Sequence, residues 1–181
     1  MEKETIEHYI VESLKELVKR DSDIFKQKIP KLGNSTEKER KLNRDLHETT
    51  LNHRFAFYLE NILIKNNFLD YNVDIEYNRN FKNKKNVKIR GVKVPVRPDI
   101  LVHKRMNNNE NLLVVEAKKH KVSGHDIDKV NAFMKDENYS YKYGLTVSYA
   151  YDETKITGTF FYRKPDNKIT TSDIEVSRIL L

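Results

Sequence analysis

Asp99, Glu116 and Lys118 are the residues whose types and spacing suit metal-assisted chemistry. Asp99 comes just before the apolar run 100–102, and Glu116 and Lys118 come just after the run 112–115. Two adjacent carboxylates repel each other, and a divalent cation that prefers oxygen ligands, such as Mg²⁺, relieves the repulsion. Such a metal lowers the pKa of a bound water and stabilises charge on a phosphoryl oxygen. Lys118 would orient or deprotonate that water, or neutralise charge in the transition state.

The two apolar runs bring these residues together if they are the strands of one antiparallel hairpin. With the turn centred between Asn107 and Asn108, Asp99 lies directly opposite Glu116. The Cβ atoms of such a pair are roughly 5 Å apart. Side chains alternate between the two faces, so the lysine shares a face with Glu116, and Ala117 leaves its backbone carbonyl near the same edge. A purely structural cluster of acids and lysine at a sheet edge is the alternative explanation.

The elements around this hairpin predict a mixed α/β domain with one central sheet. Residues 2–20 carry apolar side chains at helical spacing, a break follows over 21–35, and a second helix begins near Thr36 and ends about Asn66. A third helix is predicted from Gly124 to about Asp136. Strands are predicted at 73–77, 100–102, 112–115, 143–149 and 157–163, with 92–96 as a further extended segment.

Length and composition favour an intracellular protein with a polyanionic partner. The 181 residues suit one compact domain, in which 1–35 would be an N-terminal helix and linker and 36–181 would carry the site. The chain contains no cysteine, which excludes disulfides and thiolate metal sites. No apolar run approaches the ~20 residues of a membrane span, so we expect a cytoplasmic location and no membrane partner. The net charge of +7 makes polyanions natural partners.

A basic stretch between Arg79 and Arg97 concentrates that charge just before Asp99, and it contains no acidic residue. Lysine and arginine bind the phosphates of nucleic acids with strong salt dependence but with little sequence information. A solvated loop is the alternative interpretation. The predicted nucleic-acid-binding residues are Arg79, Lys82, Lys84, Lys85, Lys88, Arg90, Lys93, Arg97 and, after the second strand, Lys119.

The pairs Pro98-Asp99 and Glu116-Ala117-Lys118 resemble the motif of the PD-(D/E)xK nuclease superfamily. The resemblance covers about residues 45–150, and the segments 47–54 and 73–79 are similar to those of small uncharacterised nuclease-like proteins. It implies a restriction-endonuclease-like fold, a central mixed sheet flanked by helices with an αβββαβ core. It also implies DNA hydrolysis that depends on Mg²⁺, with Mn²⁺ as a substitute, in restriction, defence or mobile-element processing. Asp99, Glu116 and the Ala117 carbonyl would then be metal ligands, and Lys118 the catalytic lysine.

Members of this superfamily often carry another acid on the helix before the sheet, and Asp45, Glu48 and Glu60 are the candidates. At about 100° per residue, Glu48 shares the apolar stripe of that helix, while Glu60 points away and Asp45 lies at its margin. An acid on a core-facing stripe is costly unless it meets a metal or a partner. Glu48 is therefore predicted as a third metal-site residue or as a residue that supports the metal ligands. The stripe consists of Leu51, Phe55, Leu59 and Ile62. Alternatively, Glu48 lies at the helix surface or pairs with Arg44 or Arg54.

Two further acids and one lysine are secondary candidates. Asp74 and Glu76 on the first strand rank below Glu48, and Lys129 is predicted to border the site because the helix after the hairpin often does so in this superfamily. Three other functions stay open. They are a Holliday-junction resolvase acting as a homodimer, a nucleic-acid-binding module without catalysis, and a partner-binding protein that docks through helix 2–20.

Overall fold

A computed structural model describes residues 1–22, 48–80, 82–149 and 154–178. Its helices are α1 (Lys3–Arg20), α2 (Glu48–Lys65) and α3 (Gly124–Lys135). Its strands are β1 (Asn72–Ile75), β2 (Arg79–Asn80), β3 (Asn83–Lys84), β4 (Asn86–Ile89), β5 (Val92–Pro95), β6 (Ile100–His103), β7 (Leu113–Lys118), β8 (Tyr143–Ser148), β9 (Lys155–Arg163) and β10 (Ile169–Ser177).

A six-stranded sheet in the order β1-β6-β7-β8-β9-β10 forms the centre of the fold. Its neighbours pair antiparallel except β7 and β8, which run parallel and are joined through α3. A parallel pair needs such a crossover, whereas antiparallel neighbours can be joined by short turns. The predicted α/β class and the mixed central sheet flanked by helices are confirmed.

Helices α1 and α2 cover one face of the sheet. Four predicted α1 side chains, at positions 6, 10, 14 and 17, are completely buried. In α2 the buried stripe is Leu51, Phe55, Leu59 and Leu63, and Ile62 is only partly buried. The predicted stripe was therefore correct except at its last position, where the helix turns Leu63 toward the sheet.

Helix α3 covers the opposite face, above β7 and β8. Val130 and Phe133 of α3 pack with Leu101 and Val114 of the sheet. Gly144 on β8 makes this approach possible, because a Cβ there would collide with the Val130 side chain. The close packing holds the first turns of α3 beside the end of β7.

The basic stretch folds largely as a hairpin of β4 and β5 outside the main sheet. Its turn residues Arg90 and Gly91 have φ of 48° and 86°, and two successive positive φ values are typical of a type I′ hairpin turn. Val87 is buried with the α3 cluster and anchors the hairpin. The sequence analysis predicted only 92–96 as extended and missed β4, in which Val87 and Ile89 alternate with Asn86 and Lys88.

The remaining boundaries differ in ways that have local causes. Strand β1 ends at Ile75 rather than at Tyr77, since Glu76 has a φ of 51°, which is incompatible with an extended strand. Strand β10 was not predicted, because only Ile174 and Val176 of its nine residues are buried. The predicted start of the second helix near Thr36 lies outside the described residues, as does nearly all of the predicted break.

Candidate active site

The hairpin of β6 and β7 places Asp99 beside Glu116. Ile100 pairs with Val115, so the predicted register is confirmed, and Asp99 directly precedes this pair. The Asp99 carboxylate is fixed by the strand opposite, since its Oδ2 accepts a hydrogen bond of 2.8 Å from the backbone N–H of Ala117. One carboxylate is thereby held at the rim of the sheet, next to a second carboxylate on β7.

Glu48 reaches this rim from the first residue of α2. Its Oε2 accepts a hydrogen bond of 2.9 Å from the backbone N–H of Lys119, and its Oε1 lies 3.1 Å from Lys118 Nζ. The first turn of α2 is held over the strands because the buried Tyr149 hydroxyl donates to Asn52 Oδ1 at 2.9 Å. The structure thus brings Glu48 to Lys118, as the helical stripe predicted.

Arg54, the alternative partner predicted for Glu48, does not pair with it in the structure. Arg54 instead bonds Asp21 at the end of α1, with its Nε 3.0 Å from the carboxylate. Arg44 and Asp45 lie outside the described residues. Glu60 is half-buried, and its charge acts on Arg105 rather than on the residues around Lys118.

The Lys118 ammonium lies in the middle of the acidic groups. Its Nζ is 3.1 Å from Glu48 and donates a hydrogen bond of 3.0 Å to the backbone carbonyl of Ala117. It is also 3.6 Å from Asp99 Oδ2 and 4.0 Å from Asp126 Oδ1. One side chain therefore links α2, the hairpin and α3, and it currently uses the carbonyl that was predicted as a metal ligand.

Glu116 is completely buried and is paired with Lys129 from α3. Lys129 Nζ lies 2.5 Å from Glu116 Oε2 and 3.7 Å from Asp126 Oδ1. The other oxygen, Glu116 Oε1, is buried and has no hydrogen-bond partner among the described residues. Lys129 thus borders the site, as predicted, and pairs with one of the two oxygens of the buried carboxylate.

Asp126 is a site residue that the sequence interpretation missed. It forms a capping box with Ser123, in which Asp126 Oδ2 accepts bonds from the Ser123 backbone N–H at 2.9 Å and from its hydroxyl at 2.6 Å. Its second oxygen faces the two lysines. The pattern Ser-x-x-Asp before an apolar run signals a helix start. Lys129 lies three residues after Asp126, on the same side of that helix, so the signal could have identified Asp126 and Lys129 together.

The cluster carries more negative than positive charge. Four carboxyl groups and two ammonium groups meet in this acidic cluster, which leaves two negative charges in excess if all are ionised. Its members are Glu48, Asp99, Glu116, Asp126, Lys118 and Lys129. Burial, and next the charge of Asp99, raise the pKa of Glu116 to about 7. Burial also raises the pKa of Asp99, although the Ala117 N–H opposes the shift. Burial alone would lower the pKa of Lys118, but Asp99 and Glu48 outweigh it and raise that pKa.

The donor atoms suit Mg²⁺, although lysines now stand between the acids. Within the described ranges, no three His, Cys, Asp or Glu side chains are grouped so that they could hold a metal ion. The unpaired Glu116 Oε1 and the excess negative charge nevertheless provide what a divalent cation requires, namely oxygen ligands and incomplete charge compensation. Asp99, Glu116, Glu48 and the Ala117 carbonyl are oxygen donors of the kind that Mg²⁺ prefers, and in this structure Lys118 and Lys129 contact them.

The secondary acids form a separate set of contacts. Asp74 bonds His103 and Arg105, while Glu76 lies 3.3 Å from Arg97 at the surface. The backbone N–H of Glu76 does donate to the Asp99 carbonyl at 3.0 Å, so Glu76 borders the site without its side chain pointing into it. Neither acid joins the cluster.

Most of the predicted phosphate-binding residues are exposed, and Lys85 is a clear exception. Lys85 is only 2% exposed, with its ammonium over the rings of Tyr77 and Tyr139. A buried side chain of this kind does not reach a phosphate, so we remove Lys85 from the predicted binding surface. Lys119 is partly buried. The exposed residues are Arg79, Lys82, Lys84, Lys88, Arg90, Lys93 and Arg97.

The exposed basic residues are tied to the site at two points. Arg90 Nη2 lies 2.8 Å from Asp128, which precedes Lys129 on α3. Arg97 lies two residues before Asp99.

No helix in the described part of the chain is long and apolar enough to cross a membrane. Comparisons with protein-family models, with curated proteins and with solved structures give no match for this chain.

Proposed function

We propose that this protein is a metal-dependent nuclease with a restriction-endonuclease-like arrangement, and that it hydrolyses DNA phosphodiester bonds. The observation that carries the proposal is the convergence of Glu48, Asp99 and Glu116 around Lys118 from separate elements. Burying such charges is costly, and a purely structural cluster would gain from balanced charges. The excess of carboxylates instead favours a site that takes up a cation.

The proposed metal ligands are Asp99 and Glu116, with Glu48 and the Ala117 carbonyl as further oxygen donors. Bound Mg²⁺ would activate a water and stabilise charge on a phosphoryl oxygen. Lys118 holds its proton, since the surrounding acids raise its pKa. Its ammonium is therefore suited to donating hydrogen bonds to a phosphate oxygen and neutralising charge that develops there, rather than to accepting a proton from water.

The β4–β5 hairpin supports a nucleic-acid partner. Lys88 and Lys93 are directly opposed across its two strands, and both are exposed. Like charges at opposed positions destabilise a strand pair, and a bound phosphate would relieve this repulsion. Because Arg90 joins the hairpin to α3 and Arg97 leads into Asp99, a phosphate chain bound there would lie next to the acidic cluster.

Salt dependence of DNA binding tests this assignment. The double variant Lys88→Gln/Lys93→Gln should weaken binding to a duplex in EDTA and reduce the slope of log K against log salt by up to about 2, since each phosphate contact contributes about 0.9. Lys164→Gln/Lys168→Gln, in the exposed β9–β10 turn, is the matched control and should leave the slope unchanged. Equal slopes for both double variants would argue against the hairpin as the binding surface.

Cleavage assays test the activity itself. Purified protein should cut supercoiled DNA with Mg²⁺ or Mn²⁺, and Asp99→Asn and Lys118→Met should each reduce the rate by about 100- to 1000-fold, the scale on which loss of a key electrostatic group acts. Asp166→Asn and Lys164→Met, both at exposed positions, are the matched controls. Absence of cutting with either metal, together with no Mn²⁺ binding, would contradict the proposal.

A nucleic-acid-binding module without catalysis is the second candidate. It is favoured by the two lysines that hold the acids, and by the lack of a ready three-residue metal group in the described chain. DNA binding that is unchanged by EDTA, in a protein that binds no Mn²⁺, would identify this function. Including a four-way junction among the substrates distinguishes a junction resolvase, which would cut the junction in preference to duplex DNA.

A further inference from the structure

We infer that Lys129 is a resident counter-ion that occupies Glu116 in place of the metal, so that the Lys129–Glu116 pair and metal binding exclude each other. The inference rests on the proposed function, because it concerns the same site. Lys129 Nζ lies 2.5 Å from Glu116 Oε2, so the ammonium fills the position beside that oxygen that a metal ion would take. Lys129 comes from α3, which contributes none of the proposed metal ligands.

The buried position of Glu116 explains why a resident cation is needed. The Glu116 side chain is completely buried, and Asp99 adjoins it just before the neighbouring strand β6. A buried carboxylate without a partner costs several kcal/mol, and breaking a buried pair by removing one partner is strongly destabilising. In the metal-free protein, Lys129 therefore stabilises a carboxylate that the fold could not otherwise keep ionised.

The pairing is incomplete, which distinguishes it from a permanent structural contact. Lys129 engages Oε2 alone, and Glu116 Oε1 is buried with no hydrogen-bond partner in the described chain. Permanent buried carboxylates normally have their oxygens satisfied. An unpaired oxygen beside a single ammonium is the arrangement expected if another ligand is to complete the site.

Lys129 also has a second acidic partner on its own helix. Its Nζ is 3.7 Å from Asp126 Oδ1, three residues earlier in α3, and its side chain is 18% exposed. A small rotation toward Asp126 would release Glu116 without stranding the ammonium. Lys118 contacts Glu48, Asp99 and the Ala117 carbonyl, and it shares Asp126 with Lys129.

Exclusion between lysine and metal predicts opposite effects on stability and on affinity. Without Lys129, the metal-free protein loses the partner of Glu116, whereas an incoming cation no longer has a competitor. Lys129→Met should therefore unfold at a lower temperature in EDTA and bind Mn²⁺ more tightly. A lysine that only supports the fold would lower the unfolding temperature and leave Mn²⁺ affinity unchanged or weaker.

Calorimetric titration of the full chain with Mn²⁺, without DNA, tests the inference, together with thermal unfolding in EDTA. For Lys129→Met we expect a Kd for Mn²⁺ lower by about fivefold or more, the usual lower limit of coupling between two binding events. Its unfolding temperature in EDTA should fall by at least about 2 °C. Lys135→Met, an exposed lysine on the same helix, is the matched control and should change neither quantity.

Lys129→Arg provides a second measurement with the opposite sign. A guanidinium can hold both oxygens of a carboxylate, so this variant should bind Mn²⁺ at least about fivefold more weakly than the wild type. It decides the question even if Lys129→Met does not fold. An unchanged Mn²⁺ affinity in Lys129→Arg would overturn the inference.

The outcomes separate this inference from the proposed function. If the wild type binds Mn²⁺ and cuts DNA, but neither Lys129 variant changes Mn²⁺ affinity, the inference is wrong and the nuclease proposal stands. If neither the wild type nor Lys129→Met binds Mn²⁺, both are wrong. If only Lys129→Met binds Mn²⁺, the lysine blocks the site and the inference holds, whereas the wild type is not a metal-dependent enzyme.

Discussion

Strand β6 has a buried charged cluster near each of its ends, and the two clusters differ in how their carboxylates are paired. At the end that contains His103, the Asp74 carboxylate on β1 is bonded by His103 and Arg105. At the other end, Asp99 and Glu116 meet with further acids and only two lysines. Both clusters adjoin the same sheet, so their different pairing reflects side-chain choice rather than a different backbone.

Both carboxylate oxygens of Asp74 accept hydrogen bonds. One Asp74 oxygen accepts from His103 Nε2 at 2.9 Å and from Arg105 Nε at 2.8 Å, and the other accepts from Arg105 Nη2. Burial would raise the pKa of this carboxyl, but its bonds to Arg105 and His103 outweigh burial and hold it well below the usual range. Asp74 has no oxygen left to offer, and its role is to fix β1 to the end of β6.

The acidic cluster around Lys118, in contrast, contains a carboxylate oxygen without a hydrogen-bond partner among the described residues. Glu116 has one unpaired buried oxygen, and burial with the charge of Asp99 raises its pKa to about 7. The partners of an acid, as well as its burial, therefore separate a structural carboxylate from a candidate cation ligand. Mutations at the two ends of β6 should therefore change stability in opposite directions.

The largest effect on stability should come from Asp74→Asn. Its loss of charge leaves Arg105 and His103 without their shared partner, and we expect a decrease of about 3 kcal/mol in the free energy of unfolding. Urea denaturation measures the change, with Asp70→Asn, an exposed neighbour, as the control. DNA cleavage by the folded fraction should be unaffected. A loss of less than about 0.5 kcal/mol, the level of a surface substitution, would mean that the Asp74 cluster is not structural.

Replacing Lys85, which lies near the Asp74 cluster, should change the free energy of unfolding by an intermediate amount. Burial lowers the pKa of Lys85 to about 8 from its usual 10.5, although the charge of Asp74 opposes the shift. Between these values the unfolded chain binds more protons than the folded one, so the contribution of Lys85 to stability rises with pH from about 8 to about 10.5. Lys85→Met should remove this rise and stabilise the protein at pH 7 by about 2 kcal/mol.

Denaturation of wild type and Lys85→Met at several pH values checks this prediction. Only the difference between the two proteins is informative, since several buried tyrosines also titrate at high pH. Lys84→Met, at the adjacent exposed position, is the control and should show the wild-type dependence on pH. A constant difference between the wild type and Lys85→Met from pH 7 to 10 would refute the prediction.

The smallest effect, and the one with the opposite sign to Asp74→Asn, should come from Glu116→Gln. Burial and the charge of Asp99 already disfavour the ionised form of Glu116, and Lys129 keeps Asp126 as a partner, so the protein in EDTA should gain about 1 kcal/mol in unfolding free energy. The same change should abolish Mn²⁺ binding and DNA cleavage. Urea denaturation in EDTA, compared with exposed Glu137→Gln, measures the gain. A strongly destabilised Glu116→Gln would place Glu116 with Asp74 among the structural acids.

The hairpin and its acids could be predicted because local patterns determine them. Two apolar runs around an asparagine turn specify the pairing, and the pairing places Asp99 beside Glu116. The stripe on α2 likewise oriented Glu48 toward the sheet. In each case side-chain direction follows from strand or helix periodicity alone.

The rest of the site depends on how distant elements pack. The contact between Lys129 and Glu116 requires α3 to lie close over β8, which in turn depends on Gly144. The basic run gave no sign that Lys85 turns inward between two tyrosines, because its neighbours in sequence are another lysine and an asparagine. Long-range packing of this kind leaves little trace in the periodicity of a single chain.

The most direct test of the metal site is a crystal structure of the wild-type protein soaked in Mn²⁺, with anomalous scattering to locate the ion. We predict one strong anomalous peak coordinated by Asp99 and Glu116, with Lys129 turned toward Asp126. A structure without a peak at these acids, in which Lys129 still bonds Glu116 at saturating Mn²⁺, would contradict the account.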